Sequence, residues 1–215
     1  EAGGKRLRPM LILESCRLFG GNDEEAYPFM AAMEMIHTYS LIHDDLPCMD
    51  NDDMRRGRPS NHCAFGEDTA LLAGDALLTL AFETILSEKA VKSTSAKAVA
   101  DAGRILASFA GVSGMVGGQF IDLSIEGKKV EAEILEKMYG KKTGALLKAS
   151  CMLGCIAAGA DDEKLKSAEE FGGKIGLVFQ IIDDVLDVVS TPEVLGKPIL
   201  SDEENEKTTF MSIYG

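Results

Sequence analysis

Apolar residues recur along most of the chain at the spacing of an α-helix. In the stretch that ends at Asp44, positions 33, 36, 37, 40, 41 and 44 follow one another at helical intervals and share one face. Comparable stretches predict helices over residues 10–19, 69–86, 98–123, 130–158 and 163–190. No stretch alternates apolar and polar residues as a half-buried strand does. The pattern predicts an all-α chain that forms a single domain over residues 1–215.

The helix that ends at Asp44 has clear local limits. Asn22 or Asp23 is a suitable N-cap. Pro47 cannot continue the helix, because its ring fixes φ and removes a backbone donor. Asp50 should therefore meet Asp44 across a loop rather than one helical turn later. Two further segments are predicted as connections, a polar one over residues 89–97 and a charged one over 192–215.

The composition limits the classes of binding partner and the cellular compartment that we expect for this chain. A net charge of −13 disfavours nucleic acid and anionic membranes as partners. The chain contains no run of 18 or more apolar residues, so we expect no stable membrane association. Two of the five cysteines, Cys151 and Cys155, lie one helical turn apart in an apolar stretch, which predicts buried reduced thiols. Reduced cysteines make the cytoplasm the expected compartment.

A dense acidic cluster begins at the end of the second predicted helix. Five aspartates fall within residues 44–53, and three arginines follow within residues 55–58. So much negative charge is unfavourable in a folded chain unless a cation lies within it. Mg²⁺ binds carboxylate oxygens and often shares its shell with substrate phosphates, and guanidinium groups bind phosphate in a bidentate manner. The cluster therefore predicts a metal-bridged phosphate site.

A second acidic cluster lies inside the last predicted helix. Asp183 and Asp187 are four residues apart and stand one above the other, with Asp184 beside them and Gln180 on the same stripe. A solvated acidic face is the ordinary interpretation of such a stripe. The flanking residues are apolar, which makes that interpretation the weaker one. We hypothesise that the two clusters face each other and hold several metal ions between them.

The motifs occur in an order that resembles the trans-isoprenyl diphosphate synthases, the polyprenyl synthetase family. The first acidic cluster is similar to the family's first aspartate-rich motif, in the form with a two-residue insertion at Pro47 and Cys48. The other matching elements are Gly4 to Pro9, Arg55-Arg56-Gly57, Gly118-Gln119 with Asp122, Lys142-Thr143-Gly144, Gln180 with the second acidic cluster, Gly196-Lys197 and Lys207-Thr208-Thr209. The resemblance covers essentially the whole chain. This number of matches in the family's order is not expected by chance, so the resemblance is specific to the family.

The resemblance implies a bundle of antiparallel helices around a deep central cavity, usually in a homodimer. It implies a Mg²⁺-dependent prenyltransferase that joins isopentenyl diphosphate to an allylic diphosphate and releases diphosphate. Three Mg²⁺ ions are expected at Asp44, Asp50 and Asp183. Asp45, Asp184 and Asp187 are expected to complete the metal site, either by binding metal-bound water or by orienting the shell. Isopentenyl diphosphate is expected to bind Lys5, Arg8, His37 and Arg56, and the allylic diphosphate Arg55, Lys142, Lys197 and Lys207. The allylic cation is expected to be stabilised by the side-chain oxygens of Thr143 and Gln180.

Residues before the first acidic cluster carry two further expectations. An isolated buried histidine is usually structural, but His37 shares a face with Asp44, which favours a role in the site. Tyr39 lies five residues before Asp44, about 7–8 Å along a helix, where the family carries bulky residues that close the cavity floor. This aromatic residue and the insertion resemble bacterial farnesyl diphosphate synthases, which implies a C15 product. On a helical wheel Ser40 lies nearer to Asp44 than Tyr39 does, so spacing alone leaves the floor residue open.

Several alternatives stay open at the level of sequence. The same family contains geranyl and geranylgeranyl diphosphate synthases, which differ in product length. A class I terpene cyclase shares the first motif but has little use for Lys5, Arg8 and Arg56. A non-catalytic partner subunit is expected to lose motif aspartates, whereas both clusters are intact. Because the sequence begins at the first substrate motif and ends soon after Lys207, we expect N-terminal and C-terminal helices of the family to be lacking.

Overall fold

The computed structural model describes residues 3–189 and 209–210, apart from the side chains of Asp187 and Val189. Over these residues the chain is mostly helical with very little strand, as the sequence predicts. The helices are α1 (Leu7–Leu18), α2 (Asp23–Asp44), α3 (Asn61–Phe65), α4 (Glu67–Ile85), α5 (Glu88–Ser93), α6 (Ala96–Ala110), α7 (Met115–Ile125), α8 (Ala132–Lys142), α9 (Gly144–Ala157) and α10 (Asp162–Val189). Two short strands, β1 (Met54–Arg55) and β2 (Arg58–Pro59), lie between α2 and α3.

Local signals set the limits of α2 as the sequence predicts. The side chain of Asn22 accepts a hydrogen bond from the Glu25 N–H at 3.2 Å, and the Glu25 carboxylate accepts one from the Asn22 N–H at 2.9 Å. This reciprocal pair satisfies two backbone donors at the start of the helix. The helix ends at Asp44, and the chain then turns so that the Asp50 N–H donates to the Asp44 carbonyl oxygen at 2.9 Å. The loop predicted between these two aspartates is confirmed.

One predicted helix, over residues 98–123, is divided into α6 and α7, so that prediction is wrong. The dividing segment contains Gly111 and Gly114, and both have non-helical backbone angles. A Cβ on Gly114 would lie 1.9 Å from the carbonyl oxygen of Phe109. Only glycine permits such a close approach, and the turn gives α7 a direction of its own.

A second predicted helix, over residues 130–158, is also divided, and that prediction is wrong as well. α8 ends at Lys142, Thr143 forms the junction, and α9 begins at Gly144. Gly144 lies against α10, where a Cβ on Gly176 would lie 2.6 Å from the Gly144 Cα. The two helices therefore touch backbone to backbone at the junction, which brings Thr143 next to α10.

Several short elements were not predicted. α5 overlaps the segment predicted as a polar connection, and the Ser87 side chain caps it by accepting a hydrogen bond from the Ala90 N–H at 3.2 Å. β1 pairs antiparallel with β2, with Arg55 opposite Arg58. Strands of two residues are too short to give an alternating pattern. The five-residue helix α3 follows this hairpin directly.

The core is centred on α9. Almost every residue of α9 is buried, and the helix packs against α1, α2, α6 and α10. Cys151 and Cys155 are fully buried free thiols, as the sequence predicts. Because α9 contacts both α2 and α10, the burial of apolar surface in the core fixes the relative position of the two helices that carry the acidic clusters.

Candidate functional site

A cavity of about 1140 Å³ opens between the helices that carry the predicted motifs. Asp44 from the end of α2 and Asp183 from α10 both line it. One residue of each acidic cluster therefore lines the same cavity. Other predicted site residues that line this cavity are Lys5, Arg8, His37, Tyr39, Ser40, Arg55, Arg56, Lys142, Thr143 and Gln180.

The three aspartates of the first cluster that were predicted as metal-site residues, Asp44, Asp45 and Asp50, occupy different environments. Burial raises the pKa of Asp44 to about 6, and repulsion from Asp50 and Asp45 adds to that rise while Lys142 and Arg55 oppose it. Asp50 is exposed and is not among the cavity-lining residues. Asp44 is thus a partly buried carboxylate whose negative charge is incompletely compensated.

Asp45 and Arg55 bind each other. The carboxylate of Asp45, 2% exposed, accepts hydrogen bonds from Arg55 Nε at 2.7 and 2.9 Å and a further one from Arg55 Nη2. Asp45 does not line the cavity, so it acts on the site by holding Arg55. Arg55 lines the cavity, but its Nε and one Nη are directed to Asp45.

In the second cluster the structure separates Asp183 from Asp184. Asp183 is exposed to the cavity, whereas Asp184 is 4% exposed and does not line it. The Asp184 carboxylate accepts hydrogen bonds from the Tyr139 hydroxyl at 2.5 Å, from Gln180 Nε2 at 3.1 Å and from the Phe210 N–H at 2.7 Å. Asp184 therefore positions α8, α10 and Phe210. The side chain of Asp187, like Lys197 and Lys207, lies outside the described residues.

A group of cationic side chains lines one part of the cavity wall. Arg8 Nη1 donates a hydrogen bond to His37 Nε2 at 3.3 Å, while Arg8 Nε is buried without a partner among the described residues. Arg56 Nη1 donates to the Gly3 carbonyl oxygen at 2.7 Å, which ties the N-terminal loop to the β1–β2 turn. A buried guanidinium donor without an acceptor is costly unless an anion reaches it. This part of the wall is suited to bind an anionic group.

His37 is neutral in this setting. Burial lowers its pKa to about 3, and the positive charges of Arg8, Arg56, Arg55 and Arg6 add to that effect. Burial also lowers the pKa of Arg8 to about 10, which leaves its guanidinium protonated at neutral pH. The neutral imidazole accepts the Arg8 hydrogen bond and so orients that guanidinium beside the cavity.

A second cationic position lies at the junction of α8 and α9. Lys142 Nζ donates to Asp122 Oδ2 at 2.5 Å. Burial lowers the pKa of Lys142, but Asp122, Asp44 and Asp50 outweigh burial and leave the pKa above its ordinary value. Lys142 therefore stays charged beside Asp44.

A chain of hydrogen bonds orients the two polar residues predicted to act on the allylic group. The Thr143 hydroxyl donates to Gln180 Oε1 at 2.9 Å, and Gln180 Nε2 donates to Asp184 Oδ1 at 3.1 Å. The amide group thus has a defined orientation, with its oxygen towards Thr143 and its nitrogen towards Asp184. Both Thr143 and Gln180 line the cavity.

Tyr39 and Ser40 both line the cavity. Tyr39 is 6% exposed, and its ring lies edge-on to the His43 ring with centroids 5.7 Å apart. Ser40 donates its hydroxyl hydrogen to the His37 carbonyl oxygen at 2.9 Å. Tyr39 is the bulkier and the more buried of the two. Apolar side chains complete the wall, among them Met115, Phe120, Leu123, Leu146 and Phe179.

Several residues of this cavity were not predicted as site residues. His43 lines it and donates Nε2–H to the Leu71 carbonyl oxygen at 3.0 Å. Gln119 also lines it, with a buried Nε2 that has no partner among the described residues. Glu34 pairs with Arg6, and its place three residues before His37 on the same helical face was a signal that could have identified it.

Comparisons with known proteins agree with this geometry. The family model described as Polyprenyl synthetase matches residues 1–215. The chain is 51% identical to a geranylgeranyl diphosphate synthase of Cyanophora paradoxa, covering 100% of this chain and 71% of the relative. It is 45% identical to the farnesyl diphosphate synthase of Bacillus subtilis, covering 99% of this chain and 72% of the relative.

Solved structures give the same result. A geranyltransferase from Helicobacter pylori, complexed with magnesium and isoprenyl diphosphate, matches with a TM-score of 0.89 and 36% identity, over 100% of this chain and 71% of that one. The chain spans 58–72% of the length of the curated relatives it matches.

Proposed function

This chain belongs to the polyprenyl synthetase family, and on that premise we propose that it joins isopentenyl diphosphate to an allylic diphosphate such as dimethylallyl or geranyl diphosphate. The allylic C1–oxygen bond breaks and diphosphate leaves with the bonding electrons. The double bond of isopentenyl diphosphate attacks C1, and loss of one proton forms the new double bond. The product is a prenyl diphosphate longer by five carbons.

The observation that carries this proposal is a single cavity lined by cationic side chains, by Asp44 and Asp183 and by apolar side chains. One cationic group is formed by Lys5, Arg8 and Arg56, and a separate one by Lys142 beside Asp44. Two diphosphates need two such groups, because each brings several negative charges. The apolar side chains give the prenyl chain a surface on which to pack.

We propose Mg²⁺ as the cofactor, held by Asp44, Asp50 and Asp183. The donors fit this ion, since Mg²⁺ prefers carboxylate oxygens and Asp44 carries buried charge that is incompletely compensated. Three ions per site is the number that the family resemblance implies. When bound, Mg²⁺ supplies positive charge that stabilises the departing diphosphate. The Helicobacter pylori relative, complexed with magnesium and isoprenyl diphosphate, supports the assignment.

The protein's own residues bind the two diphosphates and stabilise the allylic cation. Arg8, oriented by the neutral His37, binds one diphosphate, and Lys142, held by Asp122, binds the other. The oxygens of Thr143 and Gln180 present partial negative charge towards the allylic cation, in an orientation set before substrate binds. The released diphosphate is our candidate for the base that removes the proton.

We propose a C15 product, farnesyl diphosphate. Tyr39 places a bulky, buried side chain in the cavity wall, which supports a shorter product. Geranylgeranyl diphosphate is the second candidate, because the Cyanophora paradoxa relative at 51% identity is a synthase of that product.

We also propose a homodimer that associates through α4. Leu72, Ala76 and Leu80 are spaced by four residues and form an exposed stripe on this helix, with Leu72 66% and Leu80 41% exposed. The segments 67–93 and 96–125 are long and apolar enough to pass as membrane spans by length and composition alone, although core helices pass the same test. Contact with a second copy would remove this apolar surface from water without a membrane.

The test is a product assay with purified protein. Isopentenyl diphosphate is incubated with dimethylallyl or geranyl diphosphate, with and without Mg²⁺, and the products are separated by chromatography. We expect Mg²⁺-dependent C15 product, and at least a 100-fold lower rate in the Asp44→Asn and Asp183→Asn variants. A cyclic product from the allylic diphosphate alone would indicate a terpene cyclase, and no condensation in any combination would remove the assignment.

A further inference from the structure

Three potential metal ligands converge beside the hairpin. They are Asp53, His62 and Cys63, and none of them lines the cavity. Their ligand atoms all lie within 4.8 Å of one another. Cys63 Sγ lies 3.4 Å from Asp53 Oδ1 and 3.4 Å from His62 Nε2.

These separations are close to those around a tetrahedral metal ion. With Zn–S near 2.3 Å and Zn–N or Zn–O near 2.0–2.2 Å, tetrahedral angles put sulfur about 3.5 Å from each other ligand. The observed 3.4 Å separations differ from this value by little more than a tenth of an ångström. Two of the three ligand separations therefore match a tetrahedral site, and the third, between Asp53 and His62, is within 4.8 Å.

Ser60 provides a second observation that points to metal binding. Its hydroxyl oxygen lies 3.1 Å from His62 Nδ1, and the residue is 2% exposed. When Nδ1–H donates to this hydroxyl oxygen, the lone pair of Nε2 is left to face Cys63. Histidine ligands of metals commonly have their other nitrogen held in this way. The Ser60 N–H also donates to the Asp53 carbonyl oxygen at 2.9 Å, which fixes the distance between the two sides of the cluster.

We propose that Asp53, His62 and Cys63 bind a borderline divalent transition-metal ion such as Zn²⁺, with water as the fourth ligand. A thiolate, an imidazole and a carboxylate suit Zn²⁺, whereas Mg²⁺ prefers oxygen ligands alone. The charges of the thiolate and the carboxylate balance that of the ion. Asp53 and Cys63 are exposed, so the ion can reach them from solvent.

The position of this site in the chain gives it a structural consequence. Asp53 directly precedes β1, and His62 and Cys63 follow β2, so one ion would join the two ends of the hairpin. The hairpin carries Arg55 and Arg56, both of which line the cavity. Bound metal would therefore hold these two arginines in place, in a site that shares only Asp53 with the first acidic cluster and adds a nitrogen and a sulfur ligand.

Co²⁺ tests the proposal, because a Co²⁺–thiolate bond gives a charge-transfer absorption band that carboxylate ligands do not. Purified protein is titrated with Co²⁺ in excess Mg²⁺, and Zn²⁺ is then added in competition. We expect a band of one-to-one stoichiometry that Zn²⁺ abolishes. Cys63→Ser should abolish it, Ser60→Ala should weaken Co²⁺ binding about 10-fold, and Cys48→Ser, which removes another exposed thiol, should leave it unchanged.

The proposal is overturned if the wild-type protein gives no such band, or if the band survives in Cys63→Ser or disappears in Cys48→Ser. Hydrogen exchange supplies a readout that does not depend on cobalt. Zn²⁺ should slow exchange of the backbone amides of residues 53–63 at least 10-fold in the wild type and leave it unchanged in Cys63→Ser. Equal exchange with and without Zn²⁺ in the wild type would overturn the proposal as well. Both measurements are independent of prenyltransferase activity, so the two proposals can fail separately.

Discussion

The imidazole of His37 illustrates how single residues are set by their neighbours in this protein. Its native pKa is about 3, whereas an unfolded histidine binds a proton near pH 6.5. Between these values the unfolded chain holds more protons than the native protein does. The free energy of unfolding must therefore fall as the pH falls through this window.

This linkage can be measured with a His37→Gln variant. From pH 7 to pH 5 we expect the free energy of unfolding of the wild type to fall by about 1–2 kcal/mol relative to that of the variant. Only the wild type has a histidine at position 37 that takes up a proton on unfolding in this pH range. Urea unfolding at the two pH values gives the difference. If that difference is the same at both values, His37 is not held neutral in the native state.

Tyr39 is the residue on which product length should depend. Tyr39→Ala removes a buried ring from the cavity wall, so we expect the main product to lengthen from C15 to C20 or beyond. Tyr27→Ala is the matched control, because Tyr27 lies on the same helix but is 49% exposed. Chromatography of the products distinguishes the outcomes, and an unchanged C15 product from Tyr39→Ala would assign the limit to another residue, with Ser40 the next to test.

The aspartates show which property of single residues the sequence does not predict, namely the direction in which each carboxylate points. Composition and spacing identified both clusters, but a sequence does not state which carboxylate of an adjacent pair faces the cavity. Asp45 binds Arg55, and Asp184 binds Tyr139 and Gln180, through contacts between elements that are far apart in the chain. Such pairings depend on packing, so only the folded structure assigns them.

At the scale of elements, close backbone contact positions the polar end of α8. A Cβ on Gly118 would lie 2.1 Å from the backbone nitrogen of Lys142 and 2.5 Å from the Lys142 Cα. The backbone of α7 therefore touches the end of α8 directly. Lys142 and Gln119 both depend on this contact for their positions at the cavity. The helical periodicity of the sequence does not reveal it.

Gly118→Ala should therefore push α7 away from α8. We expect a loss of about 1–3 kcal/mol in stability, as for overpacked cores, together with at least a 10-fold lower condensation rate. Gly140→Ala on α8 is the control, because a Cβ there meets nothing within 4 Å. That change should leave the rate intact and stabilise the helix by about 0.5–1 kcal/mol. Equal rates for Gly118→Ala and the wild type would show that α7 tolerates the displacement.

At the scale of the whole molecule, the apolar stripe on α4 predicts association. Leu72→Glu puts a charge into the proposed interface, so we expect the dimer to dissociate at least 10-fold more readily, as measured by size-exclusion chromatography with light scattering. Leu18→Glu is a matched control, since Leu18 is 78% exposed on α1 rather than on the stripe. A monomeric wild type, or a dimer that Leu72→Glu leaves unaffected, would contradict the α4 interface.

The sequence by itself determined the helical class, the limits of α2 and the two acidic clusters, because these follow from local periodicity, capping and charge. It also contained the ordered motifs by which the family is identified. Only the tertiary structure decided that Asp44 and Asp183 share one cavity, that Asp45 and Asp184 turn away from it, and that Asp53, His62 and Cys63 come together. These relations join residues distant in the chain or separated by a turn, and they arise from glycine contacts and core packing that no local pattern encodes.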